Sequence, residues 1–385
     1  MRVLVVAPTP FFGDRGCHVR IYEEVRALAA LGVQCRVVTY PTGRDLDEVD
    51  IVRASPVFGI TASPLGFSPG RPLLDASLLL VAHQETVRFR PHLFHAHLHE
   101  GIAIGVALRA RHGMPLVADL QGSLVAELVD QQVLSDGGAA ASLVGRAEGW
   151  LVRRPTRILT SSSHGAALLA EQGVDRRMLT TLPDGVDIDV FRPRPPDPAL
   201  VQQFGLAGKR VVVFLGVLTD YQGVDVLLDV AAILDRSDIN AHMLVLGYPN
   251  EAHYRAAAAR RGLDGIMTFP GRVPYAEAPS WLTLGEVAVS PKRSLTEANG
   301  KLLNYMACGL PVVATDTPVN RELLGADGVF APVGDAERFT GAILALLADP
   351  SRARGIGQAL RQRAASVFSW TAIARRLETV YQETI

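Results

Sequence analysis

The chain has 385 residues, too many for one ordinary core, so two domains are expected. Its 38 basic and 39 acidic side chains nearly balance, which argues against a general nucleic-acid binder. The three cysteines, Cys17, Cys35 and Cys308, are widely spaced; they form neither a disulfide framework nor a metal-ligand pattern, and fit a reducing cytoplasm.

The first predicted element is a strand, Arg2–Ala7, a near-continuous apolar run. A single arginine and an early Pro8 make this start unlike a signal peptide. No apolar run approaches the roughly 18 residues of a membrane span. Gly13 and Gly16 then bracket Asp14 and Arg15 in a strand-to-helix loop. The loop resembles one that lets a phosphate approach the backbone, but it lacks the GxGxxG pattern of dinucleotide binders; a plain turn is the alternative. Ile21, Val25 and Leu28 give helical spacing over Val19–Ala30, and Gly32 ends it. A strand follows at Cys35–Tyr40, and the proline-rich stretch Ser55–Pro72 reads as a mobile loop.

Further strands are predicted at Leu93–Ala96, Leu116–Asp119, Arg157–Thr160 and Met178–Leu182. In "FHAHLHEG", His95, His97 and His99 alternate, which in a strand puts them on one side. No carboxylate or cysteine stands at matching spacing, so no metal is expected; His97, at the strand end, is expected to face a cleft while the others pack. Asp119 and Gln121 end the next strand. No GxSxG elbow or HExxH helix appears, which disfavours a serine hydrolase or a zincin. Arg153, Arg154 and Arg157 lie near Trp150 and Leu151. They suit either a peripheral contact with an anionic membrane or a solvated helix end, and the solvated end is the expectation.

The segment "DGVDIDVFRPRPPDP", Asp184–Pro198, reads as a linker. Beyond it, strands are predicted at Arg210–Leu215, Met243–Leu246, Ile266–Phe269, Val287–Ser290, Val312–Thr315 and Val329–Ala331, with helical patterns between them. Strands that alternate with helices mean parallel sheets. The expectation is therefore α/β: one domain over 1–190, a second over 191–370, and a last helix, Thr371–Ile385, folded back on the first. Two such domains enclose a cleft at the carboxyl ends of their strands.

The stretch "SPKRSLTEANGKLLNYMACGLPVVATDTP" looks built around an anion. A helix is predicted from about Gly300 to Cys308, with Gly309 as its left-handed cap and Pro311 forbidding continuation. Its first turn offers N–H groups near Gly300, Lys301 and Leu302, and glycine permits close approach of a phosphate. Lys301, Lys292 and Arg293 can add charge, and Asn299 begins the turn. A helix start with a solvated lysine is the plainer alternative. Asn304 lies three residues on and suits a ribose or sugar hydroxyl; Glu297, in the preceding loop, suits another hydroxyl or a local cap.

Taken together, these pieces resemble the retaining glycosyltransferases of family 4, with the GT-B fold of two Rossmann-like domains facing a cleft. The resemblance covers almost the whole chain. It rests on "FFGDRG", "FHAHLHEG", "LPDGVDIDVFRP", "FLGVLTDYQGVDVLL", "KLLNYMACGLPVVATDTP" and "FSWTAIARRLETVY", in that order. It implies transfer of a sugar from a nucleotide-diphosphate donor, UDP- or GDP-linked, to a sugar, lipid-linked or small-molecule acceptor, with no metal cofactor. The donor would lie in the second domain, against Gly216, Gln222, Lys292, Arg293, Asn299, Gly300, Lys301, Leu302 and Asn304, with Gly13, Arg15 and Gly16 approaching from the first. Glu297, His97 and Gln121 would serve the reacting sugar. Three departures stand out. Val217 and Gln222 occupy the places of the family's usual Arg and Lys, Gln121 that of a common His, and Asn304 that of a Glu. The alternatives are an inactive or partner-dependent nucleotide-sugar binder and a sugar-nucleotide epimerase.

Overall fold

The computed structural model describes the chain outside residues 14–15, 58–59, 61–69, 131–132, 136 and 296–297. It divides into two compact units. One is built from Met1–Gly185 and Trp370–Ile385, the other from Val186–Leu295 and Asn299–Ser369.

The first unit holds a seven-stranded sheet: β1 (Arg2–Ala7), β2 (Gln34–Thr39), β3 (Asp50–Arg53), β4 (Leu93–His97), β5 (Leu116–Leu120), β6 (Arg157–Thr160) and β7 (Leu179–Thr181). Every pairing is parallel, in the order β3-β2-β1-β4-β5-β6-β7. Alternation along β1 assigns its faces. Val3, Val5 and Ala7 pack into one core with Ile21, Val25 and Leu28, whereas Leu4 and Val6 pack into another with Leu74, Leu78 and Ile102. Both faces are thus covered by helices, as an all-parallel sheet requires. The helix Trp370–Thr384 joins the first of these cores through Trp370, Ile373, Ala374, Leu377, Val380 and Tyr381, a helical stripe.

The second unit holds β8 (Arg210–Leu215), β9 (Ala241–Leu246), β10 (Met267–Gly271), β11 (Val287–Ser290), β12 (Val312–Thr315) and β13 (Val329–Ala331). These are again all parallel, in the order β10-β9-β8-β11-β12-β13. The helices Val224–Leu234 and Ala336–Ala348 cover one face, and Lys301–Ala307 covers the other.

Two features depart from the sequence reading. Strand β3 has no apolar run to announce it; it is a short edge strand of half-buried residues, steadied by Arg36 donating to Asp50 (2.8 Å). The loop placed over Ser55–Pro72 ends earlier, because the helix Arg71–Phe89 takes Pro72 into its first turn, where proline costs no hydrogen bond. Most of the rest of that loop lies outside the described residues.

Candidate functional site

In each sheet the strand order reverses once, between β1 and β4 and between β8 and β11. Ligands of such folds bind beyond the carboxyl ends of the strands at that reversal. Polar groups gather at both places.

In the second unit β8 leads into Gly216, and the helix Lys301–Ala307 runs beside it. Tyr305, fully buried, clamps the two together: Leu215 N–H donates to its hydroxyl (2.7 Å), which also reaches the Leu215 carbonyl (3.3 Å). Lys301 lies one turn earlier on the same helical face. Its ammonium crosses the Phe214 ring, 4.7 Å from the centroid, and donates to Gln222 Oε1. Gly216 makes room for it, since a Cβ there would stand 2.9 Å from Lys301 Nζ. Gly223, next to Gln222, has φ +78, and a Cβ would stand 2.3 Å from the Pro291 carbonyl oxygen; only glycine fits.

A buried amide and hydroxyl network fixes the segment that carries Lys292. Asn299 donates to Ser290 Oγ (3.0 Å) and to Asn320 Oδ1 (2.7 Å). Asn320 donates to the Thr315 carbonyl (2.8 Å), and Thr315 donates to the Lys292 carbonyl. These bonds tie the turn before the helix to the ends of β11 and β12.

In the first unit the reversal point is ionic. Arg20, fully buried on the helix Gly16–Ala30, donates to Asp119 (2.7 Å), Asp184 (2.7 Å) and the Leu182 carbonyl (3.1 Å), and lies 3.1 Å from Glu24. His97 Nδ1 is 3.1 Å from the same Asp119 oxygen, and its Nε2 is 3.7 Å from Glu24. Strand register places His97 opposite Asp119. His95 stacks on His97 with centroids 4.3 Å apart and bonds the Tyr381 hydroxyl (2.7 Å). Glu24, His95, His97 and Asp119 each offer a ligand-type atom within 4.8 Å of the others. The Arg20 guanidinium supplies positive charge between the two carboxylates, so these groups form a buried ion network.

The network splits its carboxylates. Burial would raise Asp119, but Arg20 and His97 outweigh it and hold the acid well below its ordinary range. Burial dominates at Glu24 and pushes it up to about 7, with Arg20 opposing and Asp119 adding to the rise. A carboxyl raised on folding stabilises the folded chain below its unfolded pKa, and that contribution is lost as pH rises through the folded value. Glu24 therefore weakens the fold on going from about pH 4.5 to pH 7, by on the order of 3 kcal/mol. The variant Glu24→Gln is expected to gain stability relative to wild type between pH 5 and pH 8. Urea unfolding at both pH values checks this; an unchanged difference between variant and wild type refutes it.

The sequence-predicted residues are distributed as follows. Gly216, Gln222 and Lys301 come together. Lys292 is buried, and Arg293 is paired with Asp225 at the surface rather than left for a ligand. Asn299 is spent in the buried network. Leu302 is a core side chain, and its N–H donates to the Asn299 carbonyl (3.0 Å), so the expectation that it offers an open N–H is corrected. Asn304 is half-buried on the helix. Gly13 packs against the buried His18, at 3.2 Å from an added Cβ, whereas Gly16 opens the helix with space around it. Arg15 and Glu297 lie outside the described residues. The expectation that His97 faces a cleft at the strand end is corrected: its ring is 1% exposed, held between Asp119 and Glu24. Nor do the three histidines form a row. The strand ends at His97, Leu98 turns the chain at φ +61, and His99 lies in the next helix, 3.0 Å from Glu148. Gln121 keeps a buried Nε2 with no hydrogen-bond partner among the described residues.

Arg20, Glu24, Tyr305, Asn320 and Tyr381 escaped the sequence reading. One signal was available for the first two: an Arg-to-Glu pair at i,i+4, interleaved with Ile21, Val25 and Leu28 on one helical face.

Comparison with known proteins agrees with this architecture. A family profile described as "Glycosyl transferase 4-like domain" matches residues 15–185, and one described as "Glycosyl transferases group 1" matches residues 209–349. The chain is 26% identical over 400 residues to a D-inositol 3-phosphate glycosyltransferase of Thermobispora bispora, covering 98% of this chain and 92% of that one. A protein of the same name from an Arthrobacter species is 29% identical, covering 95% and 89%. Among solved structures, sucrose-phosphate synthase of Thermosynechococcus elongatus aligns with a TM-score of 0.81 at 19% identity, over 99% of this chain and 98% of that one. Anabaena HepE, in complex with UDP and glucose, aligns at 0.79 with 18% identity, over 100% of both chains. At such identities the solved structures speak for the fold alone.

Proposed function

The chain belongs to the family 4 glycosyltransferases of the GT-B fold, and from that premise we propose that it is a retaining hexosyltransferase that uses a nucleotide-diphosphate sugar. Support comes chiefly from one observation: the Lys301 ammonium sits against Gln222, in the turn that follows β8, so a cation stands beside the place of the family's usual lysine.

In this reading the donor diphosphate lies against Lys301, Gly216 and the turn at Gly300. The bond from the anomeric carbon to the diphosphate oxygen breaks, and the acceptor oxygen forms its bond from the same face. The acceptor proton passes to the departing diphosphate oxygen, so no protein nucleophile and no metal is needed. Catalysis is then charge stabilisation of the leaving group together with positioning of the acceptor. Gln121 Nε2, buried and without a partner among the described residues, is suited to donate to a sugar hydroxyl. Asn304 is assigned to the ribose and Glu297 to the donor sugar. His97, enclosed by Asp119 and Glu24, is assigned a positioning role from behind the site.

UDP is the first nucleotide to try, because HepE was solved with UDP and glucose; the named relatives make inositol phosphate the first acceptor. The test is incubation with UDP- and GDP-sugars and an acceptor panel, with and without EDTA, and NMR assignment of the product anomer. An α-linked product from an α-linked donor, unaffected by EDTA, is expected. A β-linked product or loss of activity with EDTA overturns the mechanism. Nucleotide binding without product favours the non-catalytic alternative, for which the apolar Val217 speaks.

A further inference from the structure

In the first unit, the helix Ala139–Leu151 buries only Ala141 among its side chains and turns large apolar groups outward. Leu143 is 62% exposed and Trp150 is 54% exposed. They lie seven residues apart, two turns along one face, with the exposed Arg146 between them. Arg154 stacks on Trp150, 4.6 Å from the ring centroid.

Arginines continue this face around the amino ends of β6 and β7. Arg109 donates to the Arg154 carbonyl, Arg153 to the carbonyls of Gly149 and Gln172, and Arg157 to the Arg177 carbonyl. Among the described residues, neither these arginines nor Arg146 is ion-paired with a carboxylate. Elsewhere in the same unit Arg20, Arg36, Arg53, Arg71 and Arg88 are, whereas Arg2 and Arg376 bond backbone carbonyls. The acid on the helix itself, Glu148, is turned inward to His99 and Ser123. Among the described residues, the exposed acids of the segment that leads into β7 are Glu171 and Asp175.

We propose that this face docks on an anionic lipid bilayer. Two isolated apolar side chains provide too little area for a stable protein interface, which needs on the order of 1,000 Å². A Trp and a Leu that can enter the headgroup region, ringed by cations with no carboxylate partner, match an interfacial site. Arginine keeps its charge in water while its stem lies on apolar surface, as Arg154 does on Trp150. This departs from the sequence-based expectation of a solvated helix end: solvation alone accounts neither for the exposed Trp150 nor for arginines without a carboxylate partner among the described residues. The proposal rests on no assumption about the reaction.

The test is co-sedimentation of the purified chain with vesicles of neutral phosphatidylcholine and with vesicles that contain about 30% phosphatidylglycerol, whose charge attracts basic residues. Binding to the anionic vesicles only, abolished by about 0.5 M salt, is expected. Arg153→Gln with Arg154→Gln should weaken it roughly 25-fold, at about fivefold per arginine, with the thermal unfolding midpoint as a control for folding. Trp150→Ala should weaken it further. No sedimentation, equal binding to neutral vesicles, or binding unchanged in folded arginine variants overturns the proposal.

Discussion

The variant Arg20→Leu is expected to lose about 3–5 kcal/mol of stability, because it leaves the buried Asp119 and Glu24 without the guanidinium between them. That is a large share of the roughly 5–15 kcal/mol that holds a typical domain together. Burial alone would lower the Arg20 pKa, but the facing carboxylates hold it above its ordinary value, so its charge is secure. The second consequence is coupling. Adding Asp119→Leu to Arg20→Leu removes both members of the pair and should cost less than the sum of the two single changes. Urea unfolding of the four proteins measures this. A loss below about 1 kcal/mol for Arg20→Leu, or strict additivity, would mean that the network carries little of the fold.

The variant Lys301→Ala is expected to lower kcat/KM by about 10²–10³-fold, the scale for losing one group that stabilises charge on a leaving oxygen. Folding should survive, since the helix is held by Leu302, Leu303, Tyr305 and Met306, all buried, and not by the ammonium. The distinguishing variant is the double change Lys301→Ala with Gln222→Lys, which moves the cation back across the contact that Lys301 makes with Gln222. Recovery of at least about tenfold is expected if charge at that spot is what matters. A double variant no better than the single one would mean that Lys301 acts through its own position in the helix.

The parallel architecture was legible because buried strands leave a plain trace. The runs Arg2–Ala7, Arg157–Thr160, Arg210–Leu215, Val287–Ser290, Val312–Thr315 and Val329–Ala331 end where apolar character ends. Strand β3 was hidden because an edge strand needs only one partner and little apolar surface. The order of motifs gave the family, and the Gly216–Lys301 region was found from the glycine and lysine that open one helix. What stayed hidden were the partners. Lys301 and Gln222 are 79 positions apart, and no local pattern joins them. Arg20 and Glu24 look like solvated charges on a helix until Asp119 and Asp184 arrive from distant strand ends. Asn320 belongs to an ordinary helix start, yet its amide closes the network beneath Lys292. Expected exposure misleads most for charged and amide side chains, which are buried only when partners from elsewhere satisfy them.

Lys301 is proposed to supply the diphosphate charge that the amide of Gln222 does not carry. Calorimetric titration of the wild type, Lys301→Ala and the Lys301→Ala/Gln222→Lys double variant with UDP, GDP and ADP tests it most directly. The expected result is micromolar binding of one nucleotide, weakened about tenfold or more by the single change and restored by the second. Binding unaffected by Lys301→Ala, or absent for all three nucleotides in the wild type, would contradict it.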